Sequence, residues 1–316
     1  MSRRGVVTLG ETMGLLTADA VGHLQHVPTM TLGVGGAESN VAIALARLGT
    51  PVSWIGRLGA DSIGDKVVRE LTAERVDVHA HRDPVAPTGL MLKERPPGGA
   101  TRVWYYRAHG AGARLSPADV DTDLIAGAAL LHVTGITPAL GESPAAAVRK
   151  AVDIARSAGV TVSVDVNYRS ALWTPEAARQ VLRELVTDAD IVFAGDDEAR
   201  LLLGTDTGSA VELADGLAAL GPAEAVLKLG ADGALARAGG RIHEQAAFPI
   251  RPVDPVGAGD AFVGAYLAER LAGRDIATRL ETAARAGALM CTVPGDWEAL
   301  PTRAALSVSE TSDVIR

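Results

Sequence analysis

Apolar and polar positions along this chain change their period repeatedly, and each change marks an element. In "GVVTLG", "PVSWIGRLG", "ALLHVTGI", "VTVSVDVN", "DIVFAG" and "AVLKLG" the apolar residues run together over a few positions. Short runs rich in Val, Ile and Leu are what strands buried on both faces require. Between them the apolar residues recur every three or four positions. The stretch "AESNVAIALARLG" predicts a helix from about Glu38, stopped by Gly49. The same spacing predicts helices in "DKVVRELTAERV", "PAAAVRKAVDIARSAG", "PEAARQVLRELV", "DDEARLLLG" and "AVELADGLAALG". Alternation of strand and helix predicts an α/β fold: a doubly wound, mainly parallel sheet covered by helices.

Two stretches break the rhythm. From about residue 13 to 32 and from 88 to 108, short alternating strands follow one another without helices. "TGLMLKE" and "TRVWYYR" flank "RPPGGA", which predicts a hairpin. The two stretches together predict one small sheet laid over the main one as a lid. Excursions of this size are often functional.

Composition narrows the partners. The chain has 316 residues and is 47% hydrophobic, enough for one large core. Its formal charge of −8 argues against nucleic acid and anionic membrane as partners, and obliges an anionic substrate to find local Arg, Lys or backbone amides. A single cysteine, Cys291, excludes an intramolecular disulfide and reads as a small core filler. "MSRRGVVTLGETMG" has no apolar stretch of signal-peptide length, and no run approaches a membrane span, so a cytoplasmic location is expected. The histidines show no metal-ligand spacing. His79 and His81 in "DVHAHRD" share one face of what reads as a solvated edge strand.

Candidate chemistry gathers where an open parallel sheet binds its ligands, at the carboxyl ends of the strands. "VSVDVNYR" ends in Asp165, Asn167 and Arg169; "DIVFAGDDE" ends in Asp196, Asp197 and Glu198; "VLKLGADG" ends in Lys228, Gly230 and Gly233. Late in the chain, "DPVGAGDAFVGAYLAERLAG" places Gly257, Ala258, Gly259 and Asp260 at a helix mouth, with Gly273 as its stop. First-turn N–H groups lack helical partners, and glycines let a ligand approach them. Asp260 could take a proton from a hydroxyl there. Taken alone, the same four residues could be plain helix capping. The chain has neither G-x-x-x-x-G-K-[ST] nor a complete G-x-G-x-x-G, so a phosphate here would not sit in a P-loop.

"DPVGAGDAF" taken with the early "VGGAESNVAIALARLG" resembles the ribokinase-like (PfkB) carbohydrate kinases over nearly the whole chain. "YYRAHGAGARLSP", "GITPAL", "DVNYRSALWTPEAA" and "PGDWEALP" are similar to the 2-keto-3-deoxygluconate kinase branch. The resemblance implies one ribokinase-like kinase domain over residues 1–316 with the β lid inserted in it. It implies ATP-dependent phosphorylation of a sugar acid at its 6-hydroxyl, with Mg2+ and, as an accessory, a monovalent cation. Asp260 would be the general base, and Gly257, Ala258 and Gly259 would supply amides to the transferring phosphoryl. Gly35, Gly36, Asn40 and Asp296 would line the sugar site, with Tyr105 and Arg107 reaching down from the lid. Asn167 and Arg169 would lie between sugar and phosphates, and Lys228, Gly230 and Gly233 beside the nucleotide. A homo-oligomer, a dimer clasped through the lid or a higher assembly, is expected.

The chain also departs from that pattern. Gly195 stands where many members have an Asn, which leaves Glu198 to reach magnesium only indirectly. Leu15 stands where many neutral-sugar members have an acid, which disfavours ribose. "HGAGA" reads as a mobile piece of the lid. Two other readings stay open at this stage: a kinase of a neutral sugar such as fructose or ribose, or of another keto-deoxy acid, and a non-catalytic sugar-binding protein on this fold.

Overall fold

The structure is a computed structural model that describes residues 5–98 and 101–307. Residues 1–4 and the end of the expected hairpin turn, Gly99 and Ala100, lie outside the described residues. Thirteen strands are described: β1 (Val6–Leu9), β2 (Met13–Ala18), β3 (Met30–Gly35), β4 (Val52–Gly59), β5 (Asp77–Asp83), β6 (Leu90–Glu94), β7 (Arg102–Tyr106), β8 (Leu130–Thr134), β9 (Thr161–Asp165), β10 (Ile191–Gly195), β11 (Glu224–Lys228), β12 (Ala234–Ala238) and β13 (Arg241–Gln245). The helices are α1 (Ala37–Arg47), α2 (Ser62–Ala73), α3 (Thr122–Gly127), α4 (Glu142–Ser157), α5 (Pro175–Thr187), α6 (Asp196–Leu203), α7 (Ala210–Ala219), α8 (Ala258–Leu271), α9 (Ile276–Met290) and α10 (Arg303–Ser307).

Nine strands form one sheet in the order β13-β12-β11-β10-β9-β8-β1-β4-β5. All neighbours from β11 to β5 run parallel, and β12 and β13 add an antiparallel edge. Period-two geometry divides each central strand between two cores. In β10, Val192 and Ala194 join helices α4 to α7 on one face, while Ile191 and Phe193 join α1, α8 and α9 on the other. Phe193 meets Tyr266 edge-on at 5.2 Å between centroids and Phe262 at 6.5 Å. This is the expected doubly wound sheet. β5 is its outer strand, as the His79–His81 pattern predicts, and His81 faces Asp119 at 3.3 Å.

The two irregular stretches do form one sheet, in the order β3-β2-β6-β7. Its inner side buries Met13, Leu15 and Met91 against Val103. Leu15 is therefore a core residue of this sheet. Trp104, Tyr105 and Tyr106 are all exposed.

Two sequence expectations change here. Cys291 is no core filler: it is the half-buried cap residue after α9, on the wall of a cleft described below. The glycines of "HGAGA" answer a spatial need. A Cβ at Gly112 would lie 2.4 Å from the Glu11 side chain, and Ala111 N donates to Pro87 O at 2.7 Å.

Candidate active site

Helix α8 is buried from Ala261 to Glu269, held between the sheet, α1 and α9. Its crossing with α1 is close because Gly264 has no side chain. A Cβ there would stand 2.5 Å from the Cβ of Ala44. One helical turn earlier on both helices, the same approach brings Asn40 to Asp260. Asn40 Nδ2 donates to Asp260 Oδ2 at 2.8 Å. Small residues at one level thus set the geometry of polar residues at the next.

The helix begins as expected. Gly257 is its N-cap at φ 80°, a left-handed conformation that favours glycine, and Ala258, Gly259 and Asp260 form the first turn. The position is crowded as well: a Cβ on Gly257 would lie 2.1 Å from the carbonyl oxygen of Asp296. Ala258 N donates to Pro255 O at 3.2 Å, while Gly257, Gly259 and Asp260 line a cavity of about 500 Å³. Asp260 is half-buried in its wall. Loss of water around the carboxylate pushes its pKa up to about 7; Asn40 opposes this, Asp165 adds to it, and Arg169 and Lys228 oppose it. A carboxylate titrating near neutral pH is suited to accept a proton during a reaction.

The rest of the wall comes from strand ends. β1 runs on into Glu11, β8 into Ile136, β9 into Asn167 and Arg169, β10 into Glu198, and β11 ends at Lys228. Asn167 adopts φ 41°, one of two described non-glycine residues in the left-handed region, and so turns the chain away from β9. The small sheet supplies Met13, Met91, Val103, Tyr105 and Arg107 to the same cavity, and Gly36 and Asp296 line it too. Gly35 stands just behind: a Cβ there would meet Asp296 Oδ2 at 2.3 Å.

A second, more apolar cleft of about 680 Å³ adjoins the first and shares Lys228, Pro255 and Gly259 with it. Gly230, Gly233, Phe248, Ile250, Ala258, Ala288 and Cys291 are among its lining residues. Gly233 has φ 101°, and a Cβ on it would collide with Gln245 O at 2.1 Å. Lys228 stands at the junction with its Nζ 2.7 Å from both Asp165 oxygens. Burial works against its charge, but Asp165, Glu198 and Asp260 outweigh burial and raise its pKa.

The sequence pattern of the pfkB family carbohydrate kinases matches residues 3–303. This chain belongs to that family. The 2-dehydro-3-deoxygalactonokinase of Haloferax volcanii is 37% identical over 294 residues, 92% of each chain. The 2-dehydro-3-deoxygluconokinase of Bacillus subtilis is 36% identical over 305 residues, 95% of this chain and 94% of that one. Among solved structures, an Escherichia coli protein assigned as a ribokinase II, in complex with ATP and Mg2+, superposes with a TM-score of 0.88 at 26% identity, covering 96% of this chain and 97% of that one. The pfkB chain described here is thus a carbohydrate kinase with a ribokinase-like α/β fold.

For this pfkB kinase, several site residues carry contacts that the sequence does not disclose. Arg107 is not a free guanidinium. It is buried, and its Nη2 is paired with Glu11 Oε2. Burial raises the Glu11 pKa even with Arg107 beside it, and Glu38 adds to the rise. Glu198 has both oxygens engaged: Oε1 accepts from Tyr168 N at 2.8 Å and Oε2 from Gly195 N at 2.7 Å, a capping box for α6. Ala258 lines the apolar cleft with Gly230 and Gly233 rather than the polar cavity, and its amide already donates to Pro255 O.

Sequence reasoning missed Glu11, Glu38 and Lys93. Glu38 is buried and accepts from Thr134 Oγ1 and Thr137 Oγ1, both at 2.7 Å. Glu38 lies inside the quoted "VGGAESN", but nothing local marks it as buried. Lys93 had a readable signal: it shares strand parity with Met91, so both point to the inner face.

Proposed function

We propose that this kinase transfers the γ-phosphoryl group of ATP to the 6-hydroxyl of 2-keto-3-deoxygluconate, giving 2-keto-3-deoxy-6-phosphogluconate. The observation that carries the proposal is the single station formed by the Gly257–Asp260 turn. The helix N-terminus at Gly257–Gly259 and a carboxylate held by Asn40 lie where a polar cavity joins an apolar cleft.

In this reading the sugar acid occupies the polar cavity and the adenosine part of ATP the apolar cleft. Asp260, ionised above its pKa of about 7, accepts the proton of the attacking hydroxyl. The amides of Gly257, Ala258 and Gly259 stabilise charge on the transferring phosphoryl. Arg169 and Lys228 add positive charge between the two compartments. The small sheet acts as a lid, with Tyr105 and Arg107 over the sugar and Arg107 meeting its carboxylate beside Glu11. The names of the two similar curated relatives support a keto-deoxy acid over a neutral sugar.

Magnesium, when bound with ATP, would supply positive charge against the phosphates. Among the described residues no group of three or more His, Cys, Asp and Glu could hold a metal ion. The chain instead offers Asp165 and Glu198, each already accepting from protein donors, which suits contact with the ion's water shell more than direct ligation.

The test is Asp260→Asn. Sugar binding measured by calorimetry should persist within a few-fold, while turnover falls by roughly 10²–10⁴, the range for losing a general base. Turnover within a few-fold of the parent would remove Asp260 from the mechanism.

A further inference from the structure

Lys93 is fully buried, which is rare for lysine and costly unless the charge is met. It lies on β6 of the small sheet, yet its Nζ reaches three oxygens outside that sheet. Asp254 Oδ2 is at 3.0 Å, Gly295 O at 2.8 Å and Asp296 Oδ1 at 2.9 Å. Both carboxylates are buried too. The ammonium meets two buried carboxylates and a carbonyl that converge on one point.

These oxygens belong to the loops that shape the phosphoryl station. Asp254 lies three residues before Gly257, and its Oδ1 accepts from Val256 N at 3.2 Å, fixing the approach to the N-cap. Asp296 presses on Gly257 through its carbonyl oxygen and on Gly35 through its carboxylate. One ammonium therefore ties down both sides of the Gly257 turn. It has three donors for three acceptors, and an ammonium is close in size to a potassium ion.

We infer that Lys93 is a tethered substitute for a free monovalent cation, so that the Gly257 turn is held in working geometry without potassium or sodium. The oxygen cluster does not fit the monovalent ion that the family resemblance implies, because the charge is already present on the chain. Lys93 is a positioning residue: it touches no reacting group and acts through Asp254 and Asp296. Because it comes from the small sheet, the geometry of the turn also depends on how that sheet is seated. The effect on turnover rests on the kinase reading above; the effect on the fold does not.

The experiment compares the full-length protein in tetramethylammonium, sodium and potassium chloride at matched ionic strength. The readouts are ADP release with Mg-ATP and 2-keto-3-deoxygluconate, and thermal unfolding. The parent protein should keep kcat within two-fold and an unchanged Tm across the three salts. Lys93→Ala should lose about 100-fold in kcat in tetramethylammonium, with smaller changes in KM. Potassium or methylammonium should restore kcat at least ten-fold and raise Tm by binding the folded state. Lys93→Met, which fills the space without charge, should lose kcat and respond to neither cation. A ten-fold or greater stimulation of the parent by potassium would overturn the inference. So would a Lys93→Ala protein with undiminished kcat, or one whose loss no cation restores. If Lys93→Ala does not fold, the salt response of the parent decides. If the parent turns over no sugar, the kinase reading fails, and the Tm arm still decides the role of Lys93.

Discussion

Replacing Asp260 with Asn should stabilise the protein while disabling it, and the gain should depend on pH. The structure lifts the Asp260 pKa from an ordinary 3.8 to about 7, chiefly by excluding water. In the unfolded chain the carboxylate ionises near its ordinary value. Between about pH 4 and 7 the native state therefore holds a proton that the unfolded state has released, and native stability falls as pH rises through this window. At about 1.36 kcal/mol per pH unit, a rise of about three units sets a ceiling of about 4 kcal/mol. Asp260 lines a cavity and is only half-buried, so water in the cavity brings the expected cost to about 2–4 kcal/mol. The Asn side chain avoids that cost, and its amide oxygen still accepts from Asn40. Urea unfolding of parent and variant from pH 4 to pH 8.5 measures the difference directly. The two should coincide near pH 4, diverge in favour of the variant up to pH 7, and stay parallel above it. A difference that does not vary with pH, or a variant less stable at pH 8, would refute the assignment of a desolvated, functionally poised carboxylate.

The same shift fixes the rate profile: kcat/KM for the sugar acid should rise with pH and level off with an apparent pKa near 7, since Asp260 must be ionised to accept a proton. A flat profile from pH 5.5 to 8.5 would contradict that role. Arg107→Ala should cost stability as well as activity, about 3 kcal/mol at pH 7, because it strands buried Glu11. Adding Glu11→Gln should recover most of that stability. If kcat/KM for the sugar acid stays at least 30-fold low in the double variant, Arg107 serves the substrate; recovery of activity along with stability would confine it to pairing Glu11.

Much of this arrangement is visible in the sequence because it is local. β-branched runs, helical spacing and the glycines around Gly257 each reflect a backbone preference within a few residues. The parallel topology then follows, and with it the gathering of Asn167, Arg169, Glu198 and Lys228 at one edge. What stays hidden depends on contacts between distant segments. Glu11 and Arg107 are 96 positions apart and read separately as a loop acid and a lid cation; only packing makes them a buried pair. Asp254 appears in the sequence as the start of a capping motif, and its partner Lys93 lies 161 positions earlier. Glu198 shows the converse. The resemblance implies an indirect contact with magnesium, while the Glu198 bond to Gly195 N caps α6 and its bond to Tyr168 N ties down the loop after β9, which no spacing rule discloses. Burial of charge is a property of the assembled fold, so the chain discloses it only through strand parity, as at Met91 and Lys93.

The most direct test of the central claim is ADP release by the purified protein with Mg-ATP, across 2-keto-3-deoxygluconate, 2-keto-3-deoxygalactonate, gluconate, fructose and ribose. The account predicts turnover on the keto-deoxy acids, with 2-keto-3-deoxygluconate at least as good as its galactonate counterpart. Turnover on fructose or ribose at comparable kcat/KM, or none on any of the five, would contradict it.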